Sequence, residues 1–349
     1  MKILLTGNMG YIGPVVATTL RKNFANCFIR GVDSGFFSHC LLDNNDVFPE
    51  IKIDEQFFLD IRDIQPFHLE GFDAVIHLAS ISNDPMGNLY ERQTWEINSL
   101  SSARLAQMAK DVGVKSFVFA SSCSIYGYGG DHPRSETDNL NPLTAYAKSK
   151  VYLENALKPL ADNKFKVSCL RFATACGWSP RCRFDLVVND FVLSAMTVGE
   201  ITVLSDGTPW RPMIHVRDMA KALAWGVDRT IGEDYLVVNV GENKNNHQVK
   251  DLAQIVASVV PNTKISIAKD GAPDKRSYRV NFDALEKLTG PGFIEWSVRG
   301  AAEELIMQLK KIEFNGTNFR NSRYIRFNAL KNLQAREILN TDLRWISNL

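Results

Sequence analysis

Short apolar runs, separated by stretches of helical periodicity, organise the first half of this chain. Lys2–Thr6, Phe28–Val32, Gln56–Leu59, Ala74–Leu78, Ser116–Ala120 and Phe165–Arg171 are dominated by Ile, Leu, Val, Phe and Ala, with little polar alternation. A strand with one wet face would alternate, so these runs predict strands of a parallel sheet buried on both faces. Between them lie helical patterns: Val15, Val16, Thr19 and Leu20, then about Arg92 to Val112, then about Leu143 to Ala161. Strand and helix in alternation predict an α/β fold. The second half adds a strand at Ile201–Leu204 and an apolar-periodic helix at Val249–Val260, enough for a smaller α/β domain.

The first strand runs into Gly7-Asn8-Met9-Gly10-Tyr11-Ile12-Gly13 and then into a helix. Glycines at that junction allow a tight turn and let the backbone approach a pyrophosphate on the helix N-terminus, as in a dinucleotide site. The spacing is GxxGxxG, and its position between the first strand and the first helix gives it weight. Asp33, at the end of the second strand, would accept from ribose hydroxyls and repel a 2′-phosphate, favouring NAD over NADP. Asp60 ends the third strand, where it would meet the adenine amino group. These features predict a Rossmann-type doubly wound sheet over residues 1–178, rejoined by a segment near 211–240. A substrate domain would occupy 179–349. The insert 34–54 and the tail after 312 show no interpretable pattern.

Chemistry concentrates at two later points. Ser116–Ala120 ends in Ser121-Ser122-Cys123-Ser124, hydroxyls at a carboxyl-terminal strand edge where open α/β sheets bind ligands. Tyr146 and Lys150, four apart, share one face of a helix starting near Asn141 or Pro142. A lysine ammonium beside the phenol would favour phenolate and make Tyr146 a usable base. Ser122, Tyr146 and Lys150 then form a plausible constellation. His77 reads as a packed core histidine. Asn98 has two readings, a solvated polar position or a brace for the cofactor. Asp218 reads as a helix N-cap.

Charge and cysteine content narrow the classes. A net charge of +1 with no basic run argues against nucleic acid. Six cysteines without a CxxC pair predict reduced thiols and a cytoplasmic protein. No stretch approaches a membrane span, and no ligand cluster predicts a metal.

Taken together, Thr6–Gly13, Asp33, Asp60-Ile61, His77–Ser80, Ser121–Gly127, Tyr146–Lys150, Arg171-Phe172, Gly207–Asp218 and Asn239–Gly241 resemble the extended short-chain dehydrogenase/reductases. The closest pattern within them is the NAD-dependent nucleotide-sugar epimerase/dehydratase family, matched over roughly residues 1–290. The resemblance implies NAD as cofactor, held by Gly7, Gly10, Tyr11, Ile12, Gly13, Asp33, Asp60, Ile61, Leu78, Ala79, Ser80 and Asn98, with Tyr146 and Lys150. It implies a nucleotide-diphosphate sugar as substrate, met by Asn83, Thr174, Asn189, Arg211 and Arg276. Of the groups near the diphosphate, Asn189 is preferred to Arg181 or Arg183. The family also implies a homodimer paired through its two long helices into a four-helix bundle.

In that family Tyr146 would be the base, Lys150 its partner, and Ser122 the group on the sugar C4 oxygen. The 4,6-dehydratases carry Asp-Glu after that serine; here Cys123-Ser124 stand instead, and serine is a poor base. The expectation is therefore C4 epimerisation of an NDP-hexose. The alternatives are reduction of an NDP-4-keto-6-deoxyhexose and, less favoured, an atypical dehydration using Cys123 as acid. Thr174 and Cys176 depart from the family's usual Asn and Tyr.

Overall fold

Seven strands, all paired in parallel, form the central sheet in the order β10-β6-β5-β4-β1-β2-β3. They are β1 (Lys2–Thr6), β2 (Phe28–Asp33), β3 (Glu55–Phe58), β4 (Ala74–His77), β5 (Ser116–Ser122), β6 (Lys166–Phe172) and β10 (Tyr235–Val240). The smaller strands are β7 (Thr174–Cys176), β8 (Glu200–Val203), β9 (Trp210–His215), β11 (Asn246–Gln248) and β12 (Lys264–Ile267). They pair as β11-β9-β7 and β12-β8. The computed structural model describes residues 1–42, 47–130, 132–268 and 276–346. The middle of the 34–54 insert, Asp274-Lys275 before Arg276, and the last three tail residues lie outside that set.

The sheet follows from its sequence. Ile3, Leu4 and Leu5 of β1 and Val75 and Ile76 of β4 are fully buried, because helices cover both faces. One face carries Val16, Leu20, Val118, Ala220 and Leu223; the other carries Val32, Leu105, Phe117, Leu153 and Val167. Strand order reverses between β1 and β4, which opens a crevice at the carboxyl ends of the strands. The helix Val216–Val227 packs on the helix Gly13–Asn23 before β10 joins the sheet edge.

Two helices differ from the sequence expectation. The Tyr146 helix starts at Ala145, with the Thr144 hydroxyl accepting from Ala147 N at its N-terminus, not near Asn141. The second expected helix is helical over Glu91–Trp95 and Ser102–Asp111, joined by a wider π turn at Glu96–Ser101. Such turns often mark functional sites.

The insert and the tail belong together. Leu330, Leu333, Leu339 and Leu343 pack against Ile61, Ile81, Met86, Tyr90 and Ile97, flanked by Phe36 and Phe37 of the insert. The tail thus returns from the substrate lobe to the dinucleotide side of the molecule.

Candidate active site

A cavity of about 620 Å³ runs along the crevice, from Asp33 and Asp60 past the glycine turn to Tyr146, and on to Arg211 and Arg276. At one end Gly7, Gly10, Tyr11, Ile12, Leu78, Ala79 and Ser80 make its wall. Gly7 has φ of 72°, and a Cβ there would lie 2.6 Å from Ala79 N. Only glycine brings β1 and β4 this close. Gly13 is off the cavity; a Cβ there would lie 2.1 Å from the Asn8 carbonyl oxygen, so it serves close packing beneath the turn.

Asp33 accepts from Met9 N at 3.0 Å and from Gly35 N at 2.7 Å, one bond to each carboxylate oxygen. Burial raises its pKa above the usual carboxylate range, while those two amides pull the other way. Each oxygen keeps a lone pair for a ribose hydroxyl. Asp60 also lines the cavity, but its carboxylate is gripped by Arg62 at 3.0 and 2.7 Å and caps the turn at Ile61–Asp63. Ile61 supplies an apolar wall beside it. This donor set and slot fit the adenosine half of a dinucleotide.

Midway, Tyr146, Lys150, Ser122 and Ser124 face the same space. Lys150 is buried, donates to the Ala120 carbonyl at 2.9 Å and sits 5.3 Å from the centre of the Tyr146 ring. Burial lowers its pKa to about 7, and Glu154 one turn on holds it up. Tyr146 is pushed up to about 12, chiefly by burial, while its hydrogen bond with Ser122 works downward. The sequence assigned that lowering to Lys150; here it comes from Ser122 and, less, from Arg183, while the Lys150 amine is turned to Ala120. Ser124 Oγ is buried without a hydrogen-bond partner among the described residues, and Ser122 Oγ accepts from Ser124 N at 3.1 Å.

Glu154, fixed by both Arg171 and Ser121, was missed in the sequence. Its signal was legible: Tyr146, Lys150 and Glu154 are spaced by four along one helix face.

Four further sequence assignments need correction. Cys123 does not reach the cavity: it is fully buried, its thiol donates to the Arg171 carbonyl at 3.1 Å, and burial raises its pKa well above normal. Asn189 is equally buried, accepting from Gly177 N at 3.0 Å and donating to the Arg183 carbonyl at 2.9 Å, so its amide is spent on main chain. Asn98 is neither solvated nor on the cavity wall. It clasps both backbone groups of Ile81 at 2.9 and 3.0 Å and reaches Ser149 at 3.2 Å, bracing the loop that forms the wall. Asp218 accepts from Glu295 N and Trp296 N, and His215 caps that helix instead. His77 is a core histidine, bonded to Thr6 and Ser102 at 2.8 Å each and lowered by burial to about 3.

At the far end the wall is built of charge. Arg183, not Asn189, is on it, held by Asp185 at 3.1 and 2.6 Å. Asn83 caps the helix Asp84–Leu89 and donates to Asp185 at 2.9 Å. Arg276 pairs with Asp84, Arg211 donates to the Arg276 carbonyl, and Tyr278 and Thr174 complete the surface. Asp185 carried no motif that sequence reading could use, whereas Asp84 and Tyr278 fall in the stretches around Asn83 and Arg276 that the resemblance places at the substrate. Among the described residues, no cluster suits a metal and no helix is long and apolar enough to cross a membrane.

A continuous dinucleotide cradle and hydroxyl–phenol–lysine site define a nucleotide-dependent enzyme of the short-chain dehydrogenase type. The family model for NAD-dependent epimerases and dehydratases matches residues 3–241, and the chain belongs to that family. A UDP-glucose 4-epimerase from Bacillus subtilis (strain 168) is 27% identical over 269 residues, covering 66% of this chain and 74% of the relative. Two solved structures share the fold, each with a TM-score of 0.75 over 89% of this chain. One is an NAD-dependent NDP-hexosamine 5,6-dehydratase of tunicamycin biosynthesis, 22% identical with 98% of its chain covered. The other is a protein named MoeE5 in complex with UDP-glucose and NAD, 23% identical with 99% covered.

Proposed function

We propose that this enzyme is an NAD-dependent 4-epimerase of a nucleotide-diphosphate hexose. The observation that carries the reading is one cavity holding Asp33, Tyr146 with Ser122, and Arg211, while the position after Ser122 is withdrawn from it. NAD, when bound, supplies the acceptor that takes a hydride from C4 and returns it. Tyr146 as phenolate takes the 4-hydroxyl proton and later gives it back. Ser122 holds the C4 oxygen and relays that proton, and Ser124, whose hydroxyl has no partner among the described residues, offers the sugar a second bond. Lys150, 5.3 Å from the centre of the Tyr146 ring, offers the nicotinamide ribose contact and, when protonated, a positive charge that favours the phenolate. Arg211 and Arg276 suit the diphosphate, since a guanidinium pairs with phosphate oxygens through two parallel hydrogen bonds.

Dehydration through Cys123 finds no support, because its thiol is spent on the Arg171 carbonyl. A cytoplasmic, homodimeric enzyme accompanies the reading. Six free cysteines suit a reducing compartment, and exposed Trp95 and Leu100 leave apolar surface on the first of the two long helices. Light scattering showing a monomer at micromolar concentration would refute the dimer.

The deciding experiment incubates the protein with UDP-, dTDP-, GDP- and CDP-sugars and identifies products by NMR, without added nucleotide and then with NADH or NADPH. A C4-inverted sugar without net redox is expected. Turnover of a 4-keto-6-deoxy sugar alone, with stoichiometric loss of reduced nucleotide, would replace the epimerase with a 4-reductase.

A further inference from the structure

We propose that the C-terminal segment 325–343 is part of the dinucleotide site, with Arg326 meeting the pyrophosphate and Phe327, Leu330 and Leu343 covering the adenosine end. This rests on the NAD dependence of the family and not on the epimerase reading. The segment lies outside the residues the family model matches. Yet Arg326, Phe327, Leu330 and Leu343 all line the cavity, beside Asp33, Phe37 and Ile61.

Arg326 is 2% exposed. Its Nη2 donates to the Arg181 carbonyl at 2.6 Å and its guanidinium lies 4.9 Å from the Phe37 ring centre. Its Nη1 is buried with no hydrogen-bond partner among the described residues. A buried cation with an unmet N–H is costly unless an anion completes it. The carboxylate that acts on it electrostatically, Asp185, is already gripped at both oxygens by Arg183. Position selects the anion. Phe37 belongs to the loop after Asp33, while Arg183 acts electrostatically on both Tyr146 and Tyr11 of the glycine turn. Arg326 therefore sits between the ribose-holding carboxylate and the catalytic phenol, where the cofactor's pyrophosphate crosses.

The segment is tied down on its far side. Arg62 donates to the carbonyls of Asp342 and Leu343 at 2.8 and 2.9 Å, Gln93 to that of Thr341 at 2.7 Å, and Trp345 to that of Ser34 at 2.6 Å. Arg62 is the residue that also holds Asp60. One side chain thus joins the adenine end of the site to its cover. Dinucleotide held this way leaves only when the cover lifts, which suits a cofactor that stays bound through each catalytic cycle.

The test uses full-length protein stripped of nucleotide and titrated with NAD alone, with no nucleotide sugar present. Arg326→Gln should raise the Kd for NAD at least about tenfold, and Arg326→Lys should recover part of that. Phe327→Ala, a milder change at a half-buried position, should speed NAD release several-fold even if Arg326→Gln folds poorly. In the wild type, NAD should slow tryptic cleavage at Lys331 and Arg336 several-fold. NAD affinity within twofold of wild type in folded Arg326→Gln would overturn the pyrophosphate contact. It would also mean that the guanidinium serves the substrate's diphosphate, if UDP affinity fell instead. Unchanged NAD release in Phe327→Ala, with unchanged proteolysis, would overturn the cover.

Discussion

At the cofactor end of the cavity the wall is mostly main chain and small side chains, whereas at the sugar end it is long charged side chains carried on separate segments. Gly7, Gly10, Leu78, Ala79 and Ser80 come from two neighbouring strand ends. Arg183, Asp185, Arg211 and Arg276 come from three segments far apart in the chain, with Asp84 reaching across from a fourth. Main chain fixes a shape that one nucleotide fits. Side-chain pairs can be exchanged without rebuilding the sheet. Such a division lets one fold keep its cofactor while its sugar changes.

If the division is right, substitutions at the two ends should fail in different ways. The largest effect is expected from Tyr146→Phe, which should cut turnover about 10³-fold while leaving NAD affinity within about threefold. A comparable loss of NAD binding would mean that the phenol is structural. Gly7→Ala should act on the fold itself, costing about 3 kcal/mol in urea unfolding without nucleotide, since both its φ and the Ala79 backbone oppose a Cβ. A variant as stable as the wild type would show that the strand ends can part, and the rigid cofactor wall would be lost as an idea.

The third expectation concerns pH. His77 is held neutral in the fold down to about 3, while in the unfolded chain it titrates near its ordinary 6.5. Between those values the unfolded state binds more protons, so stability falls as pH falls from 6.5 and the loss is complete below 3. At pH 5 the cost is about 2 kcal/mol. Wild type should therefore lose about that much more than His77→Asn between pH 7 and pH 5. Equal losses would place the acid sensitivity elsewhere. The smallest effect belongs to Cys123→Ala: turnover within about threefold of wild type, because the thiol is outside the cavity. A loss of a hundredfold would restore a chemical role for that sulfur.

The same contrast explains what could be read from the sequence. Strands, glycine turn, Asp33 and the Tyr146–Lys150 spacing are local patterns, each fixed by residues within a few positions of one another. They were legible. Asn189 and Cys123 were misplaced because burial is decided by partners distant in sequence: Gly177 and Arg183 claim the amide, and Arg171 claims the thiol. Asn98 depends on the π turn, which shifts helix phase and which no propensity announces. The tail was opaque for a like reason. Its leucines gain meaning only beside Ile61 and Tyr90, more than 200 residues away.

Tyr146, Lys150 and Glu154 stand in one row on a single thirteen-residue helix pinned by Thr144 at one end and by Arg171 and Tyr235 near the other. A rod fastened at both ends carries phenol, ammonium and carboxylate as one piece. It cannot tilt to meet a substrate without moving all three by related amounts. Fitting must therefore come from the opposite bank of the crevice. On the proposed reading the sugar travels to the rod, and Arg211 on β9 and Arg276 on its loop do the steering.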